Sequence, residues 1–293
     1  MRGFRRRLAS IDSIPQFAIL GVISGALTGL VILAFRTLIE MPLASFMPDF
    51  EYFEALNPLY YLALPLCGGL VLALMFQLLK PDSRQVGVVH VLARLARFQG
   101  YMPWRNAMTQ FFGGVIALAT GQSGGREGPA IHLGAAGSSL LGQSLNLPNN
   151  SIRVLVGCGT AAAISASFNT PIAGVIFSME VILMEYTMAG FIPVILAAVT
   201  AALVNQTVYG DIAAFDIPQV SMKTFYDLPF LIFQGIVMGV IAAVFIRTIL
   251  MMYRFAPEAI WLRMVLAGAT PGAVALFIPQ ILGVGYDTLN QSL

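Results

Sequence analysis

The chain has 293 residues, of which 16 are Lys or Arg and 14 are Asp or Glu. Charged residues are thus 10% of the chain, against about 25% in a soluble domain. With 58% hydrophobic residues and a mean hydropathy of +0.81 it cannot clothe a soluble surface, which excludes an ordinary cytosolic enzyme, a nucleic-acid binder and a disordered chain. The composition is that of an integral membrane protein, with room for roughly ten spans of about 20 residues.

Arg2, Arg5, Arg6 and Arg7 crowd the N-terminus, and the positive-inside rule keeps this end in the cytoplasm. A secretory signal peptide is disfavoured, because the apolar run 16–38 is long, lacks a small-residue cleavage site and is followed by further apolar runs. Continuous hydrophobicity predicts helices over 16–40, 56–79, 104–121, 150–168, 171–186, 188–208, 226–254 and 260–283. The stretch 87–98 is shorter and amphipathic, and its Arg94 and Arg97 make it an interfacial or partly buried helix. The stretch 128–145 is rich in Gly, Ala and Ser, which permits close helix contact. Short segments interrupted by Gly or Pro, over 121–145 and 165–186, point to a transporter-type site near the bilayer midplane. Cys67 and Cys158 both lie in apolar runs, so no disulfide framework is indicated.

The charges are unevenly placed. From Asn106 to Ile152 the only Asp, Glu, Lys or Arg residues are Arg126 and Glu127, and Glu180 stands inside a later apolar run. Charges in such surroundings are costly unless they face a cavity, a partner or water, which makes all three functional candidates. Gly124, Gly125 and Gly128 let the backbone turn and approach a ligand. Pro129 suits a first helical turn, so a helix is predicted to start near Gly128. Its unpaired amides and positive dipole end favour an anion. Glu127 at the same place would compete for those amides and would vacate them on protonation or by swinging away. A surface salt bridge between Arg126 and Glu127 is the plain alternative.

Gly125-Arg126-Glu127-Gly128-Pro129 resembles the GREGP motif of the CLC chloride channel and proton/chloride antiporter family. Phe168-Asn169-Thr170-Pro171-Ile172-Ala173-Gly174, followed by Glu180, is similar to that family's FNxPLAG segment, and Phe111-Phe112-Gly113-Gly114 also fits. Order and spacing agree over about 80–210. The resemblance implies an all-α, polytopic fold of two inverted repeats and a homodimer with one anion pathway per subunit. It makes Glu127 the external gating glutamate. Gly125, Arg126, Gly128 and Pro129 then form one anion-binding element, with Val86 and Gly87 in a second.

Three departures matter. The family's first anion loop reads GSGIP, whereas Val86 stands here in place of the serine and offers no hydroxyl. Val181 follows Glu180 where coupled antiporters carry an internal proton glutamate, which favours channel-like or weakly coupled transport. Glu185, one turn further, is an acid that could deliver protons, and Glu180 itself reads best as a buried structural carboxylate. Lastly, no GxFxP motif is found. A weak internal repeat relates Gly21–Gly25 and Arg36 to Gly235–Gly239 and Arg247. The expected organisation is a basic cytoplasmic segment 1–15, a first repeat 16–210, a loop 211–224 and the start of an incomplete second repeat 225–293.

The expected activity is transport of chloride or another small anion across a plasma (inner) membrane, with protons as a second candidate and no cofactor, metal or nucleic-acid partner. One rival is an intramembrane serine hydrolase, because Gly121-Gln122-Ser123-Gly124 fits GxSG. His90 and His132 are not at the spacing of its base, nor at metal-ligand spacing with an acid or Cys, so the chain is not expected to be an enzyme. The other rival is a truncated relative that does not transport.

Overall fold

The structure is a computed structural model, which describes residues 14–44, 53, 56–211, 228–286 and 288–289. Most of the basic segment 1–15 and nearly all of the loop 211–224 lie outside them. Within the described residues the fold is all-helical, in keeping with the hydropathy reading. Helices α1 (Ile14–Ala44), α2 (Pro58–Leu78), α3 (Gly87–Phe98), α4 (Trp104–Ala119), α5 (Glu127–Ser144) and α6 (Asn149–Phe168) come first. They are followed by α7 (Pro171–Phe177), a π-helical segment Ser178–Leu183, α8 (Met188–Tyr209), α9 (Leu228–Phe255) and α10 (Ile260–Ala275).

Local chemistry sets many of the boundaries. Asn57 caps α2 by accepting the Leu59 amide at 3.1 Å, and Thr187 caps α8 by accepting the Gly190 amide at 3.2 Å. Asn169 adopts a left-handed φ of +55° and stops α6, and Pro171 at the head of α7 restarts the chain. The continuous helix expected over 171–186 is therefore corrected: α-helix gives way to π-helix at Ser178, and Met184 at φ +53° ends it. The helix expected over 260–283 ends at Ala275. Pro279 keeps Ile278 out of helical backbone (φ −137°, ψ 85°) and cannot continue the ladder.

Small residues set the packing. On α1 the buried positions Phe17, Leu20, Gly21, Ser24, Gly25, Thr28, Gly29 and Ile32 recur every three or four residues, a single stripe of the helix. That stripe lies on α8, where a Cβ on Gly25 would strike the backbone at Ala197. Helices α5 and α6 meet at Gly134 and Gly159, each against the other's carbonyl oxygen. Helices α2 and α10 meet through Gly69 and Gly268. Without a hydrophobic gradient between helices in lipid, close approach and polar contacts supply the cohesion. Ser24 and Ser138 hydroxyls meet at 2.6 Å between α1 and α5, and the Ser165 hydroxyl donates to Ala198 O at 2.7 Å between α6 and α8. Five of the described helices are long and apolar enough to cross a membrane.

Candidate functional site

Helix α5 starts at Glu127, within one residue of the start predicted at Gly128. Its N-cap is Arg126, and no side chain caps the first amides. An uncapped N-terminus keeps orphan N–H groups for an outside acceptor. Ser123, Gly124 and Gly125 are exposed, while Arg126 to Pro129 are half-buried. The Glu127 carboxylate folds back over this loop, so that a Cβ on Gly125 would collide with Oε2. Space beside Gly124 and Gly128 is open. The carboxylate thus lies against Gly125, just ahead of the helix start.

The chain beyond α10 closes the other side. Gly124 donates its amide to Gly283 O at 3.3 Å, and Gly283 donates to Gly121 O at 3.2 Å. Gly121 (φ +73°) and Gly283 (φ +74°) both lie in left-handed backbone, and the buried Phe53 ring packs against both, where a Cβ would strike it. This splice delivers Tyr286, whose hydroxyl donates to Glu127 Oε1 at 2.9 Å. The Arg126 guanidinium lies 4.7 Å from the centre of the Tyr286 ring, and Phe168 lies 6.3 Å from it. Burial pushes the Tyr286 phenol up to about 12; Arg126 opposes the shift and Glu127 adds to it. The hydroxyl is therefore a donor throughout the physiological range. Arg126 and Glu127 make no ion pair with each other, contrary to the salt-bridge alternative; Arg126 Nη2 instead donates to Ser167 O at 3.4 Å.

Val86 and Gly87 head α3, with Val86 as N-cap and no side chain of its own to cap with. The Gly87 amide donates to Gln110 Oε1 of α4 at 2.7 Å, so a buried neighbour supplies the acceptor that valine lacks. Sequence reasoning missed Gln110; its place with Asn106 and Thr109 in a helix whose second half is apolar was the available signal. Asn106, one turn earlier, donates through Nδ2 to Asp82 O and Gln85 O, both at 2.8 Å, and fixes the approach to α3.

The internal-side residues come out differently. Glu180 is exposed and makes no hydrogen bond among the described residues, which corrects its reading as a buried structural carboxylate. Its neighbours Met179 and Ile182 take the buried face of the π-helix and leave it outside. Val181 is also exposed. Glu185 is paired with Arg153 at 3.6 Å on the surface. Ser123 is exposed, while the histidines of the hydrolase alternative engage each other: His90 Nδ1 and His132 Nε2 are 2.8 Å apart. That pairing was not foreseen from the sequence.

Fold and site together define a multi-pass, all-helical membrane protein with an uncapped helix N-terminus held under a carboxylate. Residues 68–293 match the Voltage gated chloride channel family, and the chain belongs to it. It is similar to a putative chloride channel protein ClcB-like of Ralstonia nicotianae, 29% identical over 247 residues, which cover 79% of this chain and 56% of that protein. It is also similar to the H(+)/Cl(-) exchange transporter ClcA of Vibrio cholerae, 26% identical over 219 residues, or 71% of this chain and 47% of the relative. The chain thus spans about half the length of the curated relatives it matches. Two solved structures share the fold. A slow cyanobacterial Cl−/H+ antiporter aligns at a TM-score of 0.77 and 24% identity, over 94% of this chain and 67% of that one. A CLC-type fluoride/proton antiporter aligns at 0.80 and 24% identity, over 97% and 71%.

Proposed function

We propose that this chain carries a small anion, chloride in the first instance, along a path that passes the N-terminus of α5 and is gated by Glu127. The carrying observation is the Glu127 carboxylate folded over Gly125 at uncapped helix amides, with one oxygen held by Tyr286. An anion reaching those amides must displace the carboxylate, and protonation of Glu127 weakens its claim on them. Family membership supports anion transport, and the names of the relatives above make chloride the first anion to test. The second contact is the head of α3 at Gly87, where the Gln110 carbonyl takes the place an anion would need.

Val181, in the position where the family's coupled antiporters carry an acid, supports weak rather than tight proton coupling. The working assembly is a homodimer in the inner membrane with the N-terminus in the cytoplasm. The domain reading is one repeat over 16–210 and the start of a second from 225. The test is anion efflux from liposomes containing the protein expressed from its natural reading frame, with chloride, nitrate and fluoride compared. Glu127→Gln should raise chloride flux about tenfold at neutral pH and flatten its pH dependence. A variant with wild-type flux and wild-type pH dependence removes Glu127 from the gate.

A further inference from the structure

Two adjoining cavities open where α2 ends and α4 begins. One is a groove of about 440 Å³ between these helices, walled by Met75, Leu78, Trp104, Met108 and Phe112. The other, about 600 Å³, is polar and holds Asp82, Arg94, Arg97 and Asn106. Lys80, Ser83 and Arg105 line both and stand at the seam.

The groove suits an acyl chain. Trp104, Met108 and Phe112 recur every four residues and are exposed, forming one stripe of α4. Leu78, the last residue of α2, is exposed on the opposite wall. The stripe runs about 12 Å along the helix, most of one leaflet of a hydrocarbon core roughly 30 Å thick. Helix α2 is long and apolar enough to cross the membrane, and Lys80 follows two residues after its end. The seam therefore lies at the membrane interface, the depth that also suits the Trp104 indole.

The seam carries charge without its counterpart. The ion pairs among the described residues are Arg36–Glu40 and Arg153–Glu185, so no acid neutralises Lys80, Arg94, Arg97 or Arg105. Asp82 is the one carboxylate among the residues lining either cavity. Arg94 is engaged by Tyr101 O, to which its Nε donates at 2.5 Å, and by the Phe98 ring 4.0 Å away. Lys80 and Arg105 are exposed, and the Arg105 guanidinium lies 5.8 Å from the Trp104 ring. Ser83 is 7% exposed, and its hydroxyl makes no hydrogen bond among the described residues. Cations at a membrane surface need no ligand in general. Here two of them and an unbonded hydroxyl close the head of an apolar groove.

We propose that this seam holds one anionic phospholipid, with an acyl chain in the groove between α2 and α4 and its phosphate between Lys80 and Arg105, next to Ser83. A guanidinium and an ammonium are the side chains that bind phosphate oxygens. Basic pockets between transmembrane helices are also where acidic headgroups lodge. The rest of the headgroup extends into the polar cavity on the side of Arg94 and Arg97. A zwitterionic lipid would carry a further cation into that cavity, where Asp82 alone could pair with it, and is disfavoured. A free phosphate would satisfy the cations and leave the groove unfilled, so the groove selects the lipid.

The experiment reads the fluorescence of Trp104, in protein expressed from its natural reading frame with Trp261 and any other tryptophan changed to phenylalanine. Vesicles contain brominated phosphatidylglycerol or brominated phosphatidylcholine, which quench an indole on contact. Phosphatidylglycerol should occupy the groove in preference to phosphatidylcholine by about fivefold or more. Lys80→Gln with Arg105→Gln should bring the preference to within about twofold of unity and leave quenching by phosphatidylcholine unchanged, which shows the groove intact. Arg247→Gln with Arg254→Gln removes the same charge from α9 and should leave the preference as it was. Excess inorganic phosphate should not displace the lipid. Equal quenching by the two lipids, a preference that survives the Lys80 and Arg105 changes, or one lost with the α9 arginines overturns the site. Displacement by phosphate makes it a soluble-anion site instead and overturns the lipid. Trp104 quenched by neither lipid would mean that protein covers the groove, which also overturns the proposal.

Discussion

Glu127 is held by one hydroxyl. The Tyr286 donor acts on a carboxylate, and hydrogen bonds to charged groups contribute about 1.5–3 kcal/mol. Tyr286→Phe removes that bond and keeps the ring for Arg126 and Phe168. Under the gating role proposed for Glu127, it should raise chloride efflux by about tenfold at neutral pH, a factor in keeping with such a bond. Unchanged efflux in liposomes would show that Tyr286 does not restrain Glu127. The sequence isolates Glu127 by the scarcity of charge around it. It does not disclose Tyr286, because the two are 159 residues apart and nothing in either local pattern encodes the meeting. Gln110 at Gly87 is a similar case, the two standing 23 residues apart.

Among the helices, crossing points decide the architecture. Gly159 on α6 faces Gly134 on α5 so closely that a Cβ on either strikes the other's backbone carbonyl. Gly159→Leu would force the two helices apart. Overpacking costs typically 1–3 kcal/mol, and this contact is backbone against backbone with no side chain to yield. The expected outcome is a fall of at least 10 °C in the unfolding temperature in detergent, or failure to recover folded protein. A Gly159→Leu protein as stable as the wild type would refute this crossing. Helix identities were legible in the hydropathy, whereas ends set by tertiary position were less so. The break of α7 into π-helix at Ser178 had no local signature, because Ser178 Oγ donates to Gly157 O of α6 at 2.7 Å, a contact between helices.

At the scale of the whole molecule, α9 stands apart. Every residue from Leu228 to Phe255 is exposed in the isolated chain, although the helix is 28 residues long and strongly apolar. In water such a helix would drive aggregation, whereas in a bilayer its surface is matched to acyl chains. A cysteine placed at Phe245, in a background where Cys67 and Cys158 are serine, should resist permeant and charged maleimides alike in intact liposomes, because the attacking thiolate does not form among acyl chains, and should react once the protein is denatured. Equal labelling by both reagents in intact liposomes would place this segment in water.

By itself the sequence determined the class and the candidates. Few charges force membrane burial, Pro and Asn residues start and stop helices, and one Arg-Glu pair in a Gly/Pro turn marks the head of α5. These are local facts, written in composition and short-range spacing. Tertiary structure alone decided the company each candidate keeps. It put Tyr286 on Glu127, Gln110 on Gly87 and His90 on His132 across 42 residues, and it left Glu180 outside. The physical reason is that a hydrogen-bond partner in a helical membrane protein is set by which small-residue stripes pack together, and pairing between stripes is a property of the assembled bundle.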